Sequence, residues 1–254
     1  MHDLTGRTVL VTGASKGIGA ATARALGAAG ANVIAHYRSD ADGAAAAVAD
    51  VPAERRLLCR ADLAEPAAAR ELWREALAWK GGVDVLVSNA AQMLASPLDS
   101  SDEAWDETWA STLAVNVAGP MALVREAARH FVARRAGVLV TLSSWAAQRG
   151  STNPHLIAYS ASKAAVKAAT QTLARAHAAD GLLAYVIAPG VVDTQMSEDA
   201  ARQVGGREVI TRALAMDEWV PPEEIADLVV YLASGRARHL SGATLDVNGA
   251  SYIR

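Results

Sequence analysis

Apolar residues come in short, nearly unbroken runs along this chain, separated by longer stretches in which they recur every three or four positions. The runs are "TVLVTG" from Thr8, "NVIAHY" from Asn32, "RLLCRADL" from Arg56, "VDVLVSNA" from Val83, "GVLVTLSS" from Gly137, "LAYVIAPG" from Leu183 and "ATLDVNG" from Ala243. Several lack polar alternation, the pattern of strands buried on both faces. Between them, alanine-rich segments carry helical periodicity over residues 18–29, 66–79, 103–134, 159–179 and 222–233. Pro66 and Pro222 stand where a helix can start. This alternation predicts an α/β fold, a parallel sheet of about seven strands with helices on both faces.

No linker, charge block or low-complexity tract interrupts the pattern, so residues 1–254 read as one domain. The least regular part, residues 191–220, reads as a lid or binding loop. Composition narrows the partners. A net charge of -3 gives no reason to expect nucleic acid or an anionic membrane. The single cysteine, Cys59, excludes an intrachain disulfide and suits a reducing compartment. With no signal-peptide pattern and no membrane-length apolar run, a cytoplasmic location is expected. No two of the six histidines are three to five residues apart, so no metal site is expected.

The first apolar run opens into "VTGASKGIG", residues 11–19, with three glycines in seven positions. Such a cluster means a sharp turn or a close approach to the backbone. Gly13 permits the turn, while Gly17 and Gly19 leave room for N–H groups and a helix N-terminus to face a pyrophosphate. A plain strand-to-helix turn is the other reading. The spacing G-x-x-x-G-x-G in this context resembles the cofactor loop of the short-chain dehydrogenase/reductase family. Further segments resemble that family's motifs in order: "SNAA" with Asn89 and Ala90, "VNVAG" with Asn116, "LSSWA" with Ser144, "YSASK" with Tyr159 and Lys163, "APGVVDT", and "SGATLDVNG". Two departures stand out. Ala91 replaces the usual glycine after the Asn-Ala pair, and Ser144 lies about two residues further from Tyr159 than is commonest, so Ser143 is the second candidate.

The resemblance implies a Rossmann-type doubly wound sheet and a nicotinamide cofactor. It places Gly13, Ser15, Lys16, Gly17, Ile18 and Gly19 under the phosphates, Asp62 and Leu63 near the adenine, and Asn89 and Ala90 beside the ribose. Pro189, Gly190, Val192 and Thr194 fall by the nicotinamide. Asp62 also reads as an N-cap for the next helix. The end of the second strand reads "AHYRSD", with no acid to hold a ribose 2′-OH. Arg38 can pair with a 2′-phosphate, Ser39 can donate to it, and Lys16 adds a cation, so NADP is expected over NAD. The plain reading of both cations is a solvated surface.

Tyr159 and Lys163 stand at i and i+4, on one face of a helix. A nearby cation lowers a phenol's pKa, so Tyr159 reads as the acid or base for an alkoxide and Lys163 as its activator. By resemblance, Lys163 also holds the ribose, Ser144 hydrogen-bonds the carbonyl oxygen and Asn116 holds a water leading to Lys163. Met93, Leu94, Trp145, Gln148, His155, Met196 and Trp219 are candidate pocket residues. The whole pattern resembles 3-oxoacyl thioester reductases most, with sugar, polyol, steroid and pteridine reductases as alternatives. A dinucleotide-binding regulator without turnover is the non-enzymatic alternative. A homo-oligomer, tetramer or dimer, is implied through the long helices, where Ala164, Ala165, Ala168 and Ala169 permit close approach.

Overall fold

The computed structural model describes residues 2–254. Among these, seven strands form one sheet in the order β3-β2-β1-β4-β5-β6-β7. They are β1 (Thr8–Val11), β2 (Asn32–Tyr37), β3 (Arg56–Arg60), β4 (Val85–Ser88), β5 (Gly137–Leu142), β6 (Leu182–Pro189) and β7 (Thr244–Val247). Every pairing is parallel. All seven predicted runs are therefore strands.

The helices divide into two layers. α1 (Gly17–Ala28), α2 (Ala41–Ala47) and α10 (Pro222–Ala233) cover the face carrying Val9, Val11, Val85 and Val87. α3 (Pro66–Ala78), α5 (Gly119–Arg134) and α7 (Ile157–His177) cover the face carrying Leu10, Leu86 and Leu139. Neighbouring residues of one strand thus serve opposite cores, which is why the runs lack polar alternation. α2 escapes the periodicity because it is short and nearly all alanine.

The predicted helix over 103–134 is interrupted. α4 (Asp102–Leu113) leads into a π-helical turn, Ala114–Ala118, before α5. Pro120 lies in the first turn of α5 and has no N–H to give the preceding ladder, so the hydrogen bonds shift register just ahead of it. That shift lands on Asn116, buried in the π turn. Residues 191–220 are also more regular than their sequence suggests. They contain α8 (Gln195–Arg202) and α9 (Arg207–Thr211), and Val192 bridges Val220. The short α6 (Ala146–Arg149) and the Gly150 turn take up the extra residues between Ser144 and Tyr159.

Phe131, the single phenylalanine, is 0% exposed and meets the Trp73 ring edge-on at 6.0 Å. Its ring fills the space above Gly137, where any Cβ would collide with it. Phe131→Ala should lower the unfolding free energy in urea by about 3–5 kcal/mol, the usual cost of emptying so large a buried site.

Candidate active site

β1 and β4 are neighbours, yet α1 leaves β1 on one face and α5 follows β4 on the other. The crevice this opens at the carboxyl ends is where open α/β sheets bind ligands. Thr12 and Asn89 close its floor. The Thr12 hydroxyl accepts the N–H groups of Asn89 (2.9 Å) and Ala90 (3.0 Å). The Asn89 amide donates to the carbonyls of Thr12 (2.8 Å) and Gly13 (3.3 Å). Asn89 and Ala90 therefore adjoin the glycine loop, with the Asn89 amide bound to that loop.

Gly13 and Gly17 have φ of +68° and +54°, a region that favours glycine. At Gly19 a Cβ would strike the Gly13 carbonyl oxygen, so its missing side chain lets α1 pack onto the loop. Lys16 is the N-cap of α1 but provides no side-chain cap, and no acid occupies the first turn. Ser15, Lys16, Gly17 and Ile18 thus form a cradle whose helix-end amides suit an anion. These features fit the pyrophosphate of a dinucleotide.

His36, at the end of β2, is 2% exposed. Its Nδ1 accepts the Gly13 N–H (3.1 Å), so the ring proton sits on Nε2 and is donated to the Ala61 carbonyl (3.1 Å). Burial lowers its pKa to about 4, against the opposing pull of the Ala61 carbonyl and the Asp62 carboxylate.

Beyond β2, Arg38 and Ser39 are exposed, as is Lys16. Among the described residues neither cation pairs with a carboxylate. Asp40, the nearest acid, caps α2 by accepting the Gly43 N–H (2.8 Å). The Arg60 side chain donates to the Arg38 carbonyl (3.2 Å). Asp62 accepts the Ala64 N–H (2.9 Å) in a local turn, and the α3 N-cap is Glu65 instead, which corrects the capping reading of Asp62. Leu63 is buried.

The catalytic candidates meet on the other side of the crevice. Ser143 donates to the Lys163 carbonyl (2.9 Å), fastening β5 to α7. Ser144 accepts the Ala146 N–H (3.1 Å) and lies close enough to the Tyr159 hydroxyl to pull its pKa down. Lys163 is 5% exposed, and its Nζ donates to the Leu142 carbonyl (2.9 Å) while lying 5.8 Å from the Tyr159 ring centroid. Tyr159 keeps part of its surface open, yet its surroundings push its pKa up to about 12, the Ser144 contact opposing. Burial brings Lys163 down to about 8. Burial thus raises Tyr159, where the i, i+4 spacing alone suggested a lowered value.

The Asn116 side chain makes three hydrogen bonds. Its oxygen accepts the Gln92 N–H (2.8 Å), and its amide donates to the Gln92 carbonyl (2.8 Å) and the Ser162 hydroxyl (3.0 Å). Ser162 in turn donates to the Tyr159 carbonyl (2.7 Å). The amide braces the segment after β4 against α7.

Pro189 ends β6, and Gly190 abuts Asn248, where a Cβ would come within 2.8 Å. The Val192 side chain is buried in the sheet core, leaving its backbone toward the crevice. The Thr194 methyl lies over the loop, 3.1 Å from where a Cβ of Gly17 would stand, and its hydroxyl caps α8. Arg207 holds Asp193 through two bonds (2.9 and 2.8 Å), pairs with Glu198, and stacks on the Trp219 ring at 4.2 Å. Trp219 is buried among Ala201 and Leu214, and Gln148 reaches Asp246 on β7 (2.6 Å), so both have packing partners of their own.

A family model described as enoyl-(acyl carrier protein) reductase matches residues 13–250. The chain belongs to the short-chain dehydrogenase/reductase family. Enzymes of this family oxidise CH–OH or reduce C=O groups, and the chain is an oxidoreductase of that kind. It is 38% identical over 261 residues to 3beta-hydroxysteroid dehydrogenase 1 of Eggerthella lenta, covering 99% of this chain and 95% of that one. It is 32% identical to glucose 1-dehydrogenase 2 of Bacillus subtilis over 99% of this chain and 96% of the relative. A short-chain dehydrogenase from Burkholderia cenocepacia, solved with NADP, superposes with a TM-score of 0.87 at 31% identity, covering 98% of this chain and 99% of that one.

Within this short-chain dehydrogenase/reductase site, sequence reasoning passed over Thr12, His36, Gln92 and Ser162. Thr12 had a signal, since it stands directly before the first glycine. The partners of the other three lie far along the chain. His36 also carries a measurable linkage. Unfolding frees an imidazole with the ordinary value near 6.5, whereas the folded one titrates at about 4. The unfolded state binds the extra proton between those values, so stability falls as pH drops from 6.5 to 4. The loss should approach about 3 kcal/mol. Urea unfolding at pH 7 and pH 4.5 should show this component in the wild type and lack it in His36→Asn.

Proposed function

We propose that this chain transfers a hydride between NADP and a ketone or secondary alcohol, in the cytoplasm, with an apolar ring-bearing substrate of steroid type as the leading class. The observation that carries the reading is the convergence of Ser144, Tyr159 and Lys163 beside a glycine cradle at the sheet's switch point. The bound nicotinamide supplies the hydride. Ser144 donates a hydrogen bond to the substrate oxygen as charge grows there. Tyr159, whose phenol stays protonated through neutral pH, gives its proton to that oxygen in the reductive direction. Lys163, anchored on the Leu142 carbonyl, stabilises the resulting phenolate, and Asn116 holds the Gln92 segment in place beside them.

The steroid reading is supported by the relative at 38% identity and by apolar side chains near the mouth, Leu94 and Trp145 among them. A 3-oxoacyl thioester is the second reading. The acyl-carrier-protein reductase of Staphylococcus epidermidis, 29% identical over 97% of this chain, favours it. NADP over NAD is supported by Arg38 and Lys16 having no carboxylate partner among the described residues while Asp40 is drawn into the α2 cap. An oligomer is part of the reading: α5 and α7 line an open apolar groove with Met121, Val124, Ala128, Val132, Ala169 and Leu173, which a second copy would cover.

Tyr159→Phe should reduce NADPH-dependent ketone turnover at least about 100-fold, the low end for a lost general acid, with NADPH affinity within about twofold by fluorescence titration. Wild-type turnover in this variant would refute the mechanism. Arg38→Ala should weaken NADPH about 10- to 100-fold, as expected for a charge-assisted phosphate contact, and leave NADH unchanged. Equal NADPH affinity before and after would remove the cofactor assignment.

A further inference from the structure

The glycine loop sorts its own amides into two groups. The N–H groups of Gly13 and Ala14 turn inward to β2: Gly13 donates to the His36 ring (3.1 Å) and Ala14 to the His36 carbonyl (2.8 Å). For Ser15 and Lys16, no protein acceptor takes the N–H among the described residues, so these face outward with the start of α1. The His36 side chain thus takes the Gly13 amide, and its main chain the Ala14 amide.

The same ring reaches the next strand. Its Nε2 donates to the Ala61 carbonyl (3.1 Å), and Ala61 directly precedes Asp62 and Leu63 at the end of β3. Ala61 is also fixed through its own N–H, donated to the Tyr37 carbonyl (3.1 Å). A buried imidazole is costly unless both nitrogens are satisfied, and here both are, each by main chain from a different strand end. Packing alone asks only for volume. This arrangement asks for an acceptor at one point and a donor at another, set about an aromatic ring apart.

We propose that His36 is a positioning residue for the dinucleotide, its imidazole holding the glycine loop and the end of β3 at the spacing that a phosphate-linked adenosine spans. This rests on the assignment of the glycine loop as the cofactor cradle. His36 touches no cofactor atom in this scheme; it acts through Gly13 and Ala61.

Three substitutions separate the two bonds from the volume. His36→Asn places an amide oxygen where Nδ1 lies and keeps the Gly13 bond. His36→Gln reaches toward the Nε2 position and keeps only the Ala61 bond. His36→Leu keeps bulk and neither bond. Dissociation constants for NADPH and NADH are measured by fluorescence titration at pH 7.5, with circular dichroism to confirm folding and hydrogen exchange at the Gly13 amide in the free protein. His36→Asn, which loses the Ala61 bond, should bind about 10-fold more weakly, the size of one lost buried hydrogen bond, and retain Gly13 protection. His36→Gln should bind about 10-fold more weakly with Gly13 exchange accelerated, and His36→Leu, which loses both bonds, more weakly than either. Should His36→Leu not fold, the losses in Asn and Gln, with Gly13 exchange accelerated only in Gln, carry the test unaided. Folded variants that all bind as wild type overturn the proposal. So does a folded His36→Leu that binds as well as His36→Asn and His36→Gln, which would mean that the ring only fills space. If the wild type binds neither dinucleotide, the cradle assignment itself fails, and the proposal with it.

Discussion

The parallel pairing of β1 with β4 is the constraint on which the rest depends. Because these neighbours hand their chains to opposite layers, no crossover covers the carboxyl ends between them, and a crevice opens there. Everything assigned to the site lies on its rims. The glycine loop and the end of β2 stand on one side; the segment after β4, the Ser143-Ser144 pair and α7 stand on the other. The sheet's both-faces-buried strands hold the rims rigidly, since each strand residue is locked into one of two cores.

Crevices in parallel sheets expose strand-end amides and carbonyls that must be satisfied without helix or ladder partners. Four side chains meet that need here. Thr12 and Asn89 tie the ends of β1 and β4 together, His36 ties the glycine loop to β3, and Asn116 ties the segment after β4 to α7. Each is a small or planar polar group with both donor and acceptor capacity, so each can bridge two chain segments at once. Such fully bonded groups specify geometry more than they add stability. The amides and hydroxyls left unbonded by this network are the ones a ligand can use.

Much of this was legible in the sequence, and the reasons are local. The strands announced themselves because burial on both faces leaves no polar position, and the glycine loop because three glycines tell of close approach. Tyr159 and Lys163 could be placed on one helical face by spacing alone. What stayed hidden depended on distance along the chain. The partner of His36 is 23 positions away. The π turn at 114–118 needed Pro120 to be read as a break in a ladder and not as a plain helix start. At Gly19 the spacing does not say which neighbour fills the missing side chain's place; it is the Gly13 carbonyl.

The electrostatics of the acid–base pair are the clearest case where adjacency in sequence misleads. An ammonium one helical turn from a phenol should favour the phenolate, yet the two are taken out of water together, and the same desolvation that raises Tyr159 to about 12 lowers Lys163 to about 8. Each shift favours the uncharged form of its group, yet a lysine titrating near 8 is still mostly an ammonium at neutral pH, so a protonated phenol stands beside a cation. A site in that state is set to donate a proton to a nascent alkoxide. Running the reaction toward oxidation requires the phenolate, and therefore requires additional positive charge near the ring or a path for water to reach Lys163. The Ser143 and Lys163 bonds between β5 and α7 are what hold the two groups together at the crevice.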